Sequence, residues 1–336
     1  MRRYQLRGWT AGVAIGAAGA LLAGCGSSST QGSSSSTQGT SASKSLTTIT
    51  FSAPSIPGDD IMPLYAAVDL GITAANGINI KFVEASSGSA LVTAVVAGAA
   101  DFSQVPLSTA SQAIKQGTAI ETLGQAGPQS GGFFLESKAG SGIATVQQLK
   151  GKTICDSSSG SETGLMAEYT NVHYKLGATV VAVGSAGKQA SLLSGKSAAC
   201  VMSSPQSYQL IQQNKAIKIL DYNVVAPTWG VFIAKKGYAE SHKSQAEALL
   251  KSWYQTIAKF QANPSLAYQY YEKLDGITLA TAQAEFNSYL KDSPTSGAVT
   301  TEMVNSVYSL LQTIGQENTL APVDQVATDQ FAYVKA

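Results

Sequence analysis

Two stretches of the chain repeat one pattern. "GSALVTAVVAGAADFSQVPLSTASQAIKQGTAIETL" (88–123) and "GKQASLLSGKSAACVMSSPQSYQLIQQNKAIKIL" (187–220) each read as helix, Gly, strand, Pro-led helix, strand. A unit of this kind cannot bury its apolar faces alone. Two copies predict two similar lobes facing each other, each built around its own sheet. Strands and helices alternate outside the repeats as well. "LTTITFSA" (46–53) and "INIKFVEA" (78–85) read as strands, with "PLYAAVDLG" between them as a helix that has Pro63 in its first turn and Gly71 past its end. "LKGKTICD" (149–156) opens a second series, followed by a helix with Leu165, Tyr169, Val172 and Leu176 on one face. The alternation predicts an α/β protein with mainly parallel sheets.

The first 45 residues stand apart. Arg2, Arg3 and Arg7 form a positive start, and residues 11–22 are apolar or small without charge. The run is too short to span a bilayer comfortably and reads as a secretory signal, residues 1–24. Leu22-Ala23-Gly24-Cys25 resembles the lipobox of bacterial lipoproteins, a resemblance that makes Cys25 the lipidated first residue of the mature chain. Residues 25–45 are then a lipidated Cys and a Ser/Gly tether, too poor in apolar surface to offset the entropy of ordering.

All three arginines lie in the signal, residues 1–24, so the mature chain from Cys25 carries 19 Lys against 21 acids, a formal charge of −2. This leaves no electrostatic footprint for nucleic acid. With Cys155, Cys200, His173 and His242 as its Cys and His residues, the body is short of ligands for a zinc site, and no metal or cofactor is expected. Catalysis has little support. Asp59-Asp60 is an adjacent pair, which rarely works as an acid/base couple, and no Ser/His/Asp arrangement has a known sequence context. "GSSSTQG" and "SSSGSETG" lack the Gly-Lys-Ser/Thr of a phosphate loop.

The body, 46–336, resembles the solute-binding proteins of ABC importers in the nitrate/sulfonate/taurine/thiamine-pyrimidine group. The similar stretches are "PLYAAVDLGITAANGINIKFVEASSGS", "AGAADFSQVP", "LKGKTICDSSSGSETGLM", "LLSGKSAACVMSSP", "WGVFIAKKGYAE" and "AEALLKSWYQTIAKFQANPSLAYQYY". One departure is Ala198, where the family usually has an acid in the second lobe; Asp101, its first-lobe counterpart, is kept, and the lost acid reads as structural. The resemblance implies a two-lobed periplasmic-binding-protein type II fold, each lobe a mainly parallel sheet flanked by helices. Residues 46–135 plus 228–336 would form one lobe and 136–227 the other, with two crossover hinge strands near "GGFFLES" and "WGVFIAKK". It also implies a lipid-anchored monomer on the outer face of the bacterial cytoplasmic membrane, with an ABC permease and its ATPase as partners. An enzyme on the same fold acting on a pyrimidine- or naphthoate-like substrate, or a sensor docking on a receptor, are the alternatives. The same fold makes the strands of Cys155 and Cys200 neighbours. Side-by-side positions strain a disulfide, so two buried free thiols are expected over a bridge.

Ligands of open α/β sheets gather outside the carboxyl ends of strands. The loops there are rich in Ser, Gly and Gln, and each leads into a helix N-terminus, whose amides and dipole favour polar or anionic groups. The candidate ligand-binding residues are Ser55, Asp59, Asp60, Ser87, Gly88, Ser103, Gln129, Ser159, Gly160, Ser161, Glu162, Ser204 and Trp229. Each serine alone is better explained as a helix cap; the set converging on one cleft favours binding. Without arginine there is no bidentate clamp for an oxyanion, while Asp59, Asp60, Asp156 and Glu162 border the expected cleft. The expected solute is neutral, zwitterionic or amine-bearing, with any anionic part held by helix N-termini and serines.

Overall fold

The computed structural model describes residues 45–54, 61–85, 87–127, 132–225 and 228–336. The first part of the fold runs β1 (Thr47–Pro54), α1 (Met62–Asp69), a short α2 (Ile72–Ala75), β2 (Ile78–Ala85), α3 (Gly88–Val96), β3 (Phe102–Pro106), α4 (Leu107–Lys115) and β4 (Ile120–Gln125). The chain then crosses to β5 (Phe133–Lys138), β6 (Thr153–Asp156), α5 (Glu162–His173), β7 (Thr179–Ala182), α6 (Gly187–Ser194), β8 (Ala199–Ser203), α7 (Gln206–Gln212), β9 (Ala216–Asp221) and a short α8 (Tyr222–Val225). It returns through β10 (Gly230–Lys235) and ends in helices: α9 (Tyr238–Ser241), α10 (Lys243–Ala262), α11 (Pro264–Asp275), α12 (Leu279–Glu285) and α13 (Thr301–Thr313).

Two sheets result, with orders β2-β1-β3-β10-β4 and β7-β6-β8-β5-β9. The sequence repeat forms α3-β3-α4-β4 in one and α6-β8-α7-β9 in the other, at matching places. Each sheet has one antiparallel strand, β10 or β5, wedged between the two strands of its repeat. The remaining neighbours, β2-β1-β3 and β7-β6-β8, are parallel. The two strands that follow the crossovers are therefore central to their sheets, which anchors both ends of the connection between lobes.

Period-two alternation explains how the first sheet buries both faces. Phe232 and Ala234 of β10 join a cluster with Phe51, Trp253, Ile257 and Phe260; Val231 and Ile233 join the opposite one with Leu91, Val105 and Val307. The apolar stripe Leu249, Leu250, Trp253, Ile257 and Phe260 on α10 is fully buried, as its helical spacing predicts. Met303, Val307 and Leu310 of α13 are buried too, while Ile314 falls just past the helix end and is partly buried. In the second sheet Ile154 and Val201 face α5, and Cys155, Cys200 and Met202 face Leu192 of α6 and Leu210 of α7. Leu165 of α5 packs into the first lobe's core and Leu310 of α13 into the second's, so these two helices join the lobes. No described helix is long and apolar enough to cross a membrane.

The expectation of two free thiols is corrected: Cys155 and Cys200 form a disulfide. They are register partners on the parallel pair β6 and β8, with Cα atoms 4.3 Å apart and both side chains on the α6/α7 face. Same-face neighbours at that separation need no backbone movement to bond.

The departure at Ala198 has a clear structural reading. Asp101 Oδ2 accepts from the Thr50 amide and hydroxyl, both at 2.7 Å, and Oδ1 accepts from the Tyr238 hydroxyl at 2.7 Å. Burial alone would raise this carboxyl, but those hydrogen bonds hold it below the usual carboxylate range. The Asp101 amide also donates to the Thr50 carbonyl at 2.9 Å, and the Ala198 amide repeats that bond with Thr153 at 2.9 Å. The second lobe keeps the backbone link and loses the carboxylate brace, so Asp101 staples strands together far from any cleft chemistry.

Candidate functional site

A cleft of about 800 Å³ separates the two sheets at the carboxyl ends of their strands. Helix starts from both lobes wall it: α3 and α4 on one side, α5 and α6 on the other. Six expected residues lie on this wall. Ser87 and Gly88 begin α3, where the Ser87 hydroxyl accepts from the Ala90 amide at 3.2 Å. Ser159, Gly160, Ser161 and Glu162 form the loop from β6 into α5.

Three others do not line this cleft among the described residues. Ser103 is fully buried inside β3, where its hydroxyl donates to the Ser52 carbonyl at 2.8 Å; the next residue, Gln104, reaches the cleft instead, as alternation along a strand requires. Ser204 is outside the wall, its amide tied to the Gly132 carbonyl at 2.8 Å, and Ser203 lines the cleft in its place. Trp229 packs against the core formed by α3, α4 and α13, and its carbonyl accepts from the Leu107 amide at 2.7 Å. Ser55, Asp59, Asp60, Gln129 and Cys25 lie outside the described residues.

The loop into α5 is held by its own hydroxyls. Ser161 caps the helix by accepting from the Gly164 amide at 3.1 Å, and its hydroxyl donates to the Ser158 carbonyl at 2.6 Å. The Ser157 amide donates to Thr163 Oγ1 at 3.1 Å. Among the described residues, the amides of Ser159, Gly160 and Thr163 find no acceptor. These donors and the helix dipole turn partial positive charge toward the cleft at the α5 end. Glu162, the first residue of α5, lies among them and accepts from the Thr228 hydroxyl.

Under this wall sits a buried cluster of charge. Lys188 of α6 lines the cleft yet is 1% exposed. Burial lowers its ammonium to about 8 against the opposing pull of Asp156 and Glu136. Glu136, fully buried on β5, is pushed up to about 7 by burial, although Ser207 donates to its Oε1 and Lys188 and Lys218 lie near. Asp156, 2% exposed at the end of β6, is raised by burial with Lys188 opposing, and its Oδ1 has no partner. Among the described residues, no ion pair or hydrogen bond holds the Lys188 ammonium.

Lys188 was not among the sequence candidates because lysines on short helices are mostly solvated. The signal is nevertheless present: Lys188, Ser191 and Leu192 are spaced on one helix face, and that face is the buried one. Among the described residues, no group of three or more His, Cys, Asp or Glu is placed to hold a metal ion.

Solved structures that share this fold include three binding proteins. The alkanesulfonate-binding protein SsuA of Xanthomonas axonopodis pv. citri, bound to MOPS, superposes with a TM-score of 0.69 at 15% identity over 84% of this chain and 96% of that one. The aliphatic sulphonate-binding protein SsuA of Escherichia coli gives 0.69 at 15% identity over 86% and 99%. The nitrate-binding protein NrtA of Synechocystis PCC 6803 gives 0.63 at 11% identity over 83% and 87%. No curated protein sequence matches significantly. The sequence profile of the family described as NMT1/THI5 like matches residues 59–267, well over half of the chain. With this match added to the two-lobed fold, the chain belongs to the NMT1/THI5 like family.

Proposed function

We propose that the chain is an extracytoplasmic solute-binding protein that captures a small polar organic solute between its lobes and delivers it to an ABC importer. The observation that carries this reading is the cleft itself: about 800 Å³, the size of a small-molecule site, with helix N-termini facing it from both lobes. A solute touching both walls stabilises the closed arrangement by the contacts it makes only there. The two bodies would move about the crossovers before β5 and β10; since Phe133–Leu135 already pair with β8 in the second sheet, the first boundary falls before Phe133 rather than after residue 135, and the second body runs 133–227. Family membership and the sulfonate- and nitrate-binding neighbours support the same class of solute, sulfonate-, nitrate-, taurine- or aminopyrimidine-like. The protein acts by binding and turns nothing over.

Calorimetry on ligand-free protein against alkanesulfonates, taurine, nitrate and aminopyrimidines should find one micromolar ligand. Small-angle scattering should show the protein contracting when that ligand is added. Chemical conversion of the bound compound on standing would assign the fold to an enzyme instead.

The leader supports anchoring by lipid at Cys25, with the Ser/Gly tether holding a monomeric body near the permease and its ATPase on the outer face of the cytoplasmic membrane. Cys25→Ser should release the protein from the membrane fraction and leave solute affinity unchanged. Retention of the variant on membranes at high salt would remove the anchor from this reading.

A further inference from the structure

We infer that Lys188 and the amides at the start of α5 form a subsite for a single, singly ionised acidic group of the solute. The inference rests on the reading of the cleft as a solute site and adds the chemistry that the solute must carry. Two independent observations meet here. The amides of Ser159, Gly160 and Thr163 have no acceptor among the described residues, and the buried Lys188, which lines the cleft, faces Asp156 and Glu136 without a hydrogen bond or ion pair to either. The backbone places them together. The Val183 amide donates to the Asp156 carbonyl and the Gly184 amide to the Ser157 carbonyl, both at 3.0 Å. These bonds sew the loop leading into α6 to the loop leading into α5. A buried ammonium without hydrogen-bond acceptors is costly, and an oxyanion in the cleft removes that cost.

The surrounding charges set how much negative charge is accepted. α6 packs on β5, β6 and β8. From these, Glu136 and Asp156 face Lys188, while β8 brings only the bridged Cys200, which does not titrate. Glu162 borders the same wall. Lys188 is already opposed by Asp156 and Glu136, so with the helix-start amides it can hold one anionic group at most; a second would meet Asp156 and Glu162 unscreened. Opposite, Leu91, Val92 and Val96 of α3 offer an apolar wall for a carbon skeleton. The solute is thus a monoanion or zwitterion with an apolar body. This keeps the zwitterion expected from the missing arginines and removes purely neutral and cationic compounds.

The test uses matched probes on ligand-free, full-length protein. Propane-1-sulfonate, taurine, propanesulfonamide and propane-1,3-disulfonate form one set. Benzenesulfonate, benzenesulfonamide and benzene-1,3-disulfonate form a second, and butyrate, butyramide and succinate a third; propylamine serves as the cationic control. The best monoanion or zwitterion should bind at least tenfold more tightly than its neutral and dianionic partners. Its affinity should fall at least tenfold in Lys188→Met. For propane-1-sulfonate or benzenesulfonate, whose charge is fixed over this range, affinity in the wild type should also fall at least tenfold between pH 8 and pH 10, above the titration of Glu136, as the Lys188 ammonium loses its proton. That profile needs no variant, so it decides the matter if Lys188→Met does not fold. A neutral, cationic or dianionic probe binding as tightly as the monoanion, an unchanged Lys188→Met, or a flat pH profile overturns the subsite and leaves solute capture standing. No binding by any probe overturns both.

Discussion

Removing the Cys155–Cys200 bridge should cost about 4 kcal/mol of stability, most of it in the second lobe. The two cysteines are 45 residues apart in sequence, and the bridge closes a loop that takes in α5, β7 and α6. In the chain-entropy account, cutting such a loop frees the unfolded state by roughly that amount. The expected cost is larger than that of most single substitutions, which lies at about 0.5–3 kcal/mol. The measurement is urea unfolding of Cys155→Ala/Cys200→Ala beside the parent protein, with Cys25→Ser in both. The lobes are separate cores joined through α5 and α13, so the variant should show the second lobe melting first and a biphasic curve. A thiol titration gives the direct check: unfolded Cys25→Ser protein should show no free thiol without reductant and two after reduction. Two free thiols without reductant would remove the bridge and the stability difference with it.

What the sequence made legible was local in origin. The repeat shared by 88–123 and 187–220 yields matching elements because each strand and helix carries its own period and its own Gly or Pro stop. The stripe on α10 could be named because 3.6-residue spacing does not depend on what it packs against. Ser87, Gly88 and the 159–162 loop could be placed on the cleft because strand ends in α/β sheets point there by topology. The misreadings were non-local or turned on parity. Ser103 and Gln104 exchange places through a single step along β3. The bridge depends on the register between β6 and β8, which no local pattern encodes. Lys188 is buried because its helix face happens to close over Asp156 and Glu136, two acids that come from other strands. An absence of arginine describes the side chains available, not where the one useful lysine lies.

Gly164→Ala should destabilise the protein and loosen solute binding at least tenfold, against the ordinary preference of helices. Gly164 is the third residue of α5, and alanine inside a helix normally gains about 1 kcal/mol over glycine. Here the added carbon would sit 2.5 Å from the Ser158 carbonyl oxygen and 3.4 Å from its carbonyl carbon. These are backbone atoms, and they are held. The Ser158 carbonyl accepts from the Ser161 amide at 3.1 Å and from the Ser161 hydroxyl at 2.6 Å. Making room means breaking both bonds or shifting the start of α5, an overpacking cost of about 1–3 kcal/mol that exceeds the helix gain. Either movement displaces the amides of Ser159 and Gly160 from the cleft wall. Gly187→Ala is the control. It begins α6 on the same wall, but its added carbon meets only the Val183 side chain, at 3.4 and 3.7 Å, which is ordinary contact. Thermal unfolding and calorimetry with the tightest probe should separate the two variants, Gly187→Ala staying near the parent in both. A Gly164→Ala protein as stable and as tight-binding as the parent would mean that the Ser158–Ser161 turn neither shapes the site nor holds the helix.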